Sequence, residues 1–63
     1  MPFAQINIME GRTDEQKRVL IRNVTQAISD SLDAPVENVR IMINEVPKTQ
    51  WGIAGKTAQD LGR

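Results

Sequence analysis

The residue of this chain whose type best suits acid and base chemistry near neutral pH is the second one, Pro2. The sequence contains no histidine, no cysteine and no tyrosine, so carboxylates, lysines and the terminal amine are the remaining candidates. If Met1 is removed, Pro2 carries a free secondary amine, and a terminal amine has a pKa of about 8. With Met1 attached, the same nitrogen is an amide without basicity. Pro2 is therefore a candidate general base on the condition that Met1 is lost.

Arg12 and Arg40 are the residues that could complete a site around this amine. An isolated arginine is typical of a solvated surface. Guanidinium groups nevertheless bind carboxylates in forked geometry, and a cation near an amine lowers the pKa of that amine. Two arginines beside a terminal amine therefore predict a substrate with two negative charges.

Alternating apolar and polar residues predict strands at 3–9 and 39–46, with a helix between them. Thr13 and Gln16 have the spacing of a capping box, so the helix begins at about Thr13, and Pro35 stops it. Its apolar stripe is predicted to contain Leu20, Ile21, Val24, Ala27, Ile28 and Leu32. Strand, helix and strand give an α/β fold built on a right-handed β-α-β unit with parallel strands.

This topology separates Pro2 from Arg12. Pro2 begins the first strand and Arg12 lies beyond its end, so ten residues at about 3.3 Å each place them roughly 30 Å apart. Arg12 cannot serve the Pro2 of its own chain, and another subunit must supply it. Arg40 begins a parallel strand at the same sheet end as Pro2, and the sequence leaves open which subunit supplies it.

Residues 50–55 carry glycines at the spacing of a tight hairpin or an extended arm. A two-stranded sheet with one helix cannot cover both of its faces, and a chain of this size buries only about 60% of its unfolded surface. No cysteine is present to form a disulfide, and without histidine or cysteine no zinc site is expected. Residues 1–63 are therefore predicted to form a single domain that assembles into a homo-oligomer.

Trp51 and Met9 are candidates for an apolar wall over the amine. Exclusion of water by Trp51 would lower the pKa of the amine and strengthen the electrostatic effect of the arginines. Packing in the core or in a subunit interface is the alternative for Trp51, and core packing is favoured for Met9.

Composition excludes several classes of partner. Eight basic residues balance eight acidic ones, and the chain has one Phe and one Trp, so neither a basic stripe nor a stacking platform for nucleic acid is present. The apolar runs are too short for a membrane span or a signal peptide. The cytoplasm is the expected compartment.

Several segments resemble the 4-oxalocrotonate tautomerase family. They are Met1-Pro2, Gln5-Ile6, the run Glu10-Gly11-Arg12-Thr13-Asp14-Glu15-Gln16-Lys17, the run Ser31-Leu32-Asp33-Ala34-Pro35, and Gly52-Ile53. The resemblance covers nearly the whole chain. It implies the tautomerase fold, a hexamer arranged as a trimer of dimers, and an enzyme of aromatic catabolism without cofactor or metal.

The resemblance also implies roles for the site residues. Pro2 is the general base that moves a proton along an unsaturated 2-oxo or 2-hydroxy dicarboxylic acid, with 2-hydroxymuconate as the reference substrate. Arg40 holds the 2-oxo oxygen and the adjoining carboxylate, which is stabilisation of the oxyanion type. Arg12, from a neighbouring chain, binds the far carboxylate.

Two positions depart from the best-known family member. Trp51 replaces a phenylalanine and Asn38, a polar contact near the substrate, replaces a serine, so both changes bear on substrate preference. One alternative is therefore a superfamily enzyme that acts on another 2-oxo or enol acid. The other is a non-catalytic oligomeric module, if Met1 is retained.

Overall fold

A computed structural model describes residues 1–63. The elements follow the order β1 (Phe3–Met9), α1 (Asp14–Leu32), β2 (Arg40–Val46), β3 (Gly52–Ile53) and β4 (Lys56–Thr57). Single turns of 3-10 helix at Val36–Asn38 and Lys48–Gln50 precede and follow β2. None of these helices combines the length and the apolar character that crossing a membrane requires. The predicted β-α-β unit of the α/β class is confirmed.

β1 and β2 pair in parallel, with Phe3 opposite Arg40 and Met9 opposite Val46. Backbone hydrogen bonds extend the ladder at both ends. The Arg40 N–H donates to the Pro2 carbonyl at 2.9 Å, and the Glu10 N–H donates to the Val46 carbonyl at 2.9 Å. Both strands therefore start at one end of the sheet and finish at the other, which decides where each site residue lies.

The two faces of this sheet differ in exposure, as the alternation predicts. Residues 4, 6 and 8 of β1 and residues 41 and 43 of β2 are half-buried, and α1 lies against β2. The opposite face is open: Phe3 is 60% exposed, and Asn44 Nδ2 donates to Asn7 Oδ1 at 3.1 Å across the strands. In the chain as a whole only Val39 and Ala58 are buried. A single chain thus leaves much of its apolar surface in contact with water.

The helix begins as predicted and buries a narrower stripe than predicted. Thr13 Oγ1 accepts from the Gln16 N–H at 3.1 Å, and Gln16 Oε1 accepts from the Thr13 N–H at 3.0 Å, which is the capping box. The half-buried members of the predicted stripe are Leu20, Val24 and Ile28, whereas Ile21, Ala27 and Leu32 are exposed. A two-stranded sheet is too narrow to cover a wider helix face.

The second strand begins one residue later than predicted. Val39 is buried but lies outside β2, because its N–H donates to the Val36 carbonyl at 3.2 Å and closes the 3-10 turn. The ladder with β1 therefore starts at Arg40.

The C-terminal hairpin predicted at 50–55 is present, shifted slightly along the chain. β3 and β4 pair antiparallel, with Gly52 opposite Thr57. Ala54 and Gly55 connect them with φ values of 52° and 85°. Two consecutive positive φ angles are typical of the tight turns that join antiparallel strands.

Lys17 is the residue through which α1 is tied electrostatically to β2. Its Nζ donates to Glu45 Oε1 at 2.6 Å and lies 3.4 Å from Asp14 Oδ1, and its side chain is only 23% exposed. The hydrogen bond to Glu45 raises the pKa of Lys17 above its ordinary value of 10.5, and Asp14 adds to this effect, although partial loss of hydration opposes it.

We expect a Lys17→Met variant to be less stable than the parent at pH 7. Because the folded state raises the pKa of Lys17, its contribution is present in full below pH 10.5 and is lost as the pH rises through the raised value. Urea unfolding at a fixed protein concentration, compared at pH 7 and above pH 10.5, measures the difference. Lys56→Met, at a lysine without an ion pair, is the control. A stability difference that does not change with pH would contradict this assignment.

Candidate active site

The predicted site residues fall into two clusters at opposite ends of β1. We call the first the amine cluster, defined by Pro2, Asn38 and Arg40. Met9, Arg12 and Trp51 belong to the second, which lies in a groove where β1 ends. β1 has 7 residues and therefore spans about 20 Å. A single chain does not bring the two clusters together.

In the amine cluster, the ladder hydrogen bond from Arg40 to the Pro2 carbonyl holds the two backbones side by side. Pro2 is half-buried, whereas Met1 is 81% exposed. Asn38 ends the 3-10 turn before β2 and is exposed. The sheet ladder thus fixes the backbone at the position where an amine would be uncovered by removal of Met1.

The Arg40 guanidinium is oriented by carbonyl groups alone. Its Nη1 donates to the Glu37 carbonyl at 2.6 Å and to the Val39 carbonyl at 3.4 Å. It forms no ion pair within the chain. Its charge is therefore uncompensated and is available to an anion, because a guanidinium carries five N–H donors and these contacts use only one nitrogen.

The second cluster lies in an open groove of about 440 Å³. Its lining consists of Asn7, Ile8, Met9, Glu10, Gly11, Arg12, Lys48 and Trp51. Arg12 is exposed and forms no ion pair, so the groove combines an uncompensated cation with an indole wall. Gly11, with φ at 122°, makes the turn that places Arg12 here, and a residue with a side chain rarely adopts that angle.

Trp51 is held by the hairpin that follows it. Its carbonyl accepts from the Ala58 N–H at 2.8 Å, and Ala58 is fully buried. Trp51 is half-buried and lies beside the end of β1, so it does not cover the Pro2 of its own chain. Trp51 and Arg12 therefore both lie away from the Pro2 of their own chain.

Glu10 and Lys48 line the groove and carry no role in the sequence-based interpretation. Glu10 Oε1 accepts from the Lys48 backbone N–H at 3.1 Å. The two residues are 38 positions apart, so no local pattern signals their contact. Each residue nevertheless lies in one of the two turns that border the groove. Glu10 directly precedes Gly11 and Arg12, and Lys48 directly follows Pro47.

The charges at the two clusters suit an organic anion better than a metal ion. The structure contains no group of three or more metal-ligating acidic side chains. Uncompensated guanidinium groups occur in both clusters, and an apolar wall occurs in one. Such an arrangement can bind a carboxylate, and in the groove it can place an apolar wall against the rest of a bound organic anion.

Comparison with known proteins gives consistent matches over the full length. The family model described as Tautomerase enzyme matches residues 2–61. The chain is 59% identical to the 2-hydroxymuconate tautomerase of Stutzerimonas stutzeri and 56% identical to that of Pseudomonas putida, over 63 residues and 100% of each chain.

Solved structures give the same result. A structure from a study of 4-oxalocrotonate tautomerase isozymes of Methylibium petroleiphilum has a TM-score of 0.95 and 58% identity, covering 98% of this chain and 100% of that one. A heterohexameric 4-oxalocrotonate tautomerase of Chloroflexus aurantiacus has a TM-score of 0.93 and 38% identity, covering 97% and 98% of the two chains.

Proposed function

The chain belongs to the tautomerase family and is an isomerase, and we propose that it converts 2-hydroxymuconate to 2-oxo-3-hexenedioate with the Pro2 amine as general acid and base. Full-length relatives at 54–59% identity that are named 2-hydroxymuconate tautomerase support this substrate. The observation that supports the catalytic proposal is the ladder hydrogen bond from the Arg40 N–H to the Pro2 carbonyl, which places the two residues at the same end of the sheet.

The proposed reaction moves one proton from oxygen to carbon and shifts the double bonds between them, so that no atom is gained or lost and no oxidation state changes overall. The hydroxyl proton of 2-hydroxymuconate leaves as the 2-oxo group forms, and a proton is added to carbon at the far end of the conjugated system. A neutral amine is needed to accept a proton, and an arginine charge close to the amine in the assembled site would favour that neutral form. The same amine, once protonated, is the acid that delivers a proton to carbon.

Arg40 is the group proposed to stabilise the developing negative charge. It binds the 2-oxo oxygen and the neighbouring carboxylate, and its electrostatic attraction grows as the dienolate forms. The absence of an ion pair within the chain supports this role, since a carboxylate partner would have to be displaced first. Asn38, next to this end of β2, is a proposed polar contact to the same end of the substrate.

Arg12, Trp51 and Met9 are proposed to come from a neighbouring subunit. A six-carbon diacid is much shorter than β1, so it cannot reach from Pro2 to the Arg12 of the same chain. The neighbouring Arg12 holds the far carboxylate and draws electron density along the diene. The indole of Trp51 and the side chain of Met9 exclude water from the reacting carbons.

This arrangement requires an oligomer, and we propose a homohexamer built as a trimer of dimers. The solved relative from Chloroflexus aurantiacus is a heterohexamer, and this chain matches it over nearly its full length. The open sheet face with Phe3 and Met42 supplies apolar surface for subunit contacts, because both side chains are exposed in the single chain.

We expect the mature protein to lack Met1. Met1 is highly exposed, and only its removal creates the amine on which the mechanism depends. Intact-mass spectrometry of the protein from its native host measures this, with a mass lower by one methionine residue as the expected result. Complete retention of Met1 would favour a non-catalytic oligomeric module.

We expect Arg40→Ala to lower kcat by about 100- to 1,000-fold, the effect of losing one donor to a developing oxyanion, with a smaller rise in KM. Pro2→Ala should lower kcat by a comparable factor, because the secondary amine is replaced by a more weakly positioned primary one. The assay is steady-state isomerisation of 2-hydroxymuconate. Arg22→Ala is the matched control, at an exposed helix arginine without an ion pair. A parental rate in Arg40→Ala or Pro2→Ala would refute the assignment.

Mixed oligomers test whether two chains build one site. A Pro2→Ala chain keeps Arg12, and an Arg12→Ala chain keeps Pro2, so neither alone has a complete site. Random co-assembly at equal amounts should restore about a quarter of the sites of the parent. Each variant assembled alone is the control. If co-assembly restores no activity, Pro2 and Arg12 of different subunits do not share a site.

A further inference from the structure

Glu10 connects the two walls of the groove. Its backbone N–H donates to the Val46 carbonyl at 2.9 Å, which closes the sheet ladder. Its side-chain Oε1 accepts from the Lys48 N–H at 3.1 Å. Glu10 directly precedes the turn that presents Arg12, and Lys48 begins the turn that leads to Trp51. Glu10 therefore contacts both of the segments that carry the candidate substrate-binding residues of the groove, Arg12 and Trp51.

The Lys48 N–H has no other partner in the chain. Lys48 is the first residue of the 3-10 turn Lys48–Gln50, and the preceding Pro47 provides no side-chain cap. Amide groups at the start of a helical turn lack partners within that turn and need an acceptor from elsewhere. Glu10 supplies that acceptor.

This contact is the only hydrogen bond within the chain that joins residues 48–63 to residues 1–46. The other hydrogen bonds of the C-terminal segment are internal or go to Pro47. They include Ala58 N–H to the Trp51 carbonyl at 2.8 Å and Gln59 N–H to the Lys48 carbonyl at 3.3 Å. These bonds fix Trp51 to its own hairpin and not to β1. The Glu10 carboxylate sets the position of that hairpin against the end of the strand.

The carboxylate performs this task without neutralising Arg12. Glu10 forms an ion pair with neither Arg12 nor Lys48, although all three line the groove. Its hydrogen bond to a backbone amide keeps one oxygen occupied. The cationic side of the groove thus stays available to a carboxylate of the substrate.

We propose that Glu10 is a positioning residue. By accepting a hydrogen bond from the Lys48 N–H, its carboxylate holds the segment that carries Trp51 against the end of β1, in the groove that also contains Arg12. Glu10 touches no reacting atom and acts through the segment that it anchors. The kinetic consequence rests on the proposed isomerase function, whereas the structural consequence can be measured without any substrate.

The acceptor side is tested with Glu10→Ala and Glu10→Gln. Trp51 is the only tryptophan and no tyrosine is present, so protein fluorescence reports this wall alone. In Glu10→Ala, acrylamide quenching of Trp51 should rise and KM should rise, with kcat/KM lowered about fivefold, the factor that corresponds to the free energy of one lost hydrogen bond. Glu10→Gln removes the charge and keeps an acceptor oxygen, so quenching and KM should stay close to the parent values.

Glu15→Ala is the charge-matched control. It removes one carboxylate from the first turn of α1, where the Glu15 side chain is 70% exposed and its one ion pair is with Arg18. Quenching and KM should not change in this variant. An equal effect in Glu15→Ala and Glu10→Ala would assign the result to net charge and overturn the proposal.

The donor side is tested with Lys48→Pro, which removes the N–H, compared with Lys48→Ala, which retains it. Proline fits this position because Pro47 has φ at −59° and ψ at 148°, the conformation favoured before a proline. Relative to Lys48→Ala, Lys48→Pro should raise the quenching of Trp51. Adding Glu10→Ala to Lys48→Pro should cause no further rise, because the two changes remove the same bond.

The outcomes separate this proposal from the proposed function. Parental quenching and KM in Glu10→Ala, or equal losses in Glu10→Gln and Glu10→Ala, would overturn the positioning role. If the parent does not isomerise 2-hydroxymuconate, the proposed substrate fails and the quenching series alone decides the role of Glu10. If Glu10→Ala does not fold, Glu10→Gln and the pair of Lys48 variants decide it.

Discussion

Parallel pairing of β1 and β2 is the constraint on which the rest of the structure depends. Parallel strands need a crossover, which here is α1, and they place both strand starts at one end and both strand ends at the other. Pro2 and Arg40 therefore meet at the first end. The turns that follow the two strands meet at the second end and form the groove with Arg12 and Trp51. The same pairing that creates both clusters also keeps them a strand length apart.

The small core of the chain explains why a site divided between the two ends of the sheet is compatible with this fold. Only Val39 and Ala58 are buried, because one helix covers one face of a two-stranded sheet and leaves the other open. A chain with so little core gains stability when further copies cover the open face. Assembly can then bring the amine cluster of one chain to the groove of another. Assembly of the chains would then both bury the exposed apolar surface and complete a site.

The distribution of charges follows the same division. Lys17 pairs with Glu45 and so links α1 to β2. Lys17 also pairs with Asp14, and Arg18 pairs with Glu15, within the first two turns of the helix. Arg12 and Arg40, at the two sheet ends, pair with no carboxylate. Glu10 is near Arg12, yet its carboxylate binds a backbone amide. Acidic groups thus stabilise the framework while the arginines of the two clusters remain available.

Local sequence determined the elements and the chemical possibilities. The alternation of residues 3–9, the Thr13 cap and the absence of histidine, cysteine and tyrosine are readable from neighbouring positions, and so is the separation of Pro2 from Arg12. Tertiary structure alone decided which helix residues are covered, that Val39 closes a turn before β2, and that Glu10 anchors the Trp51 segment. The physical reason is that these features depend on the width of the sheet and on a contact across 38 residues, which short-range periodicity does not encode.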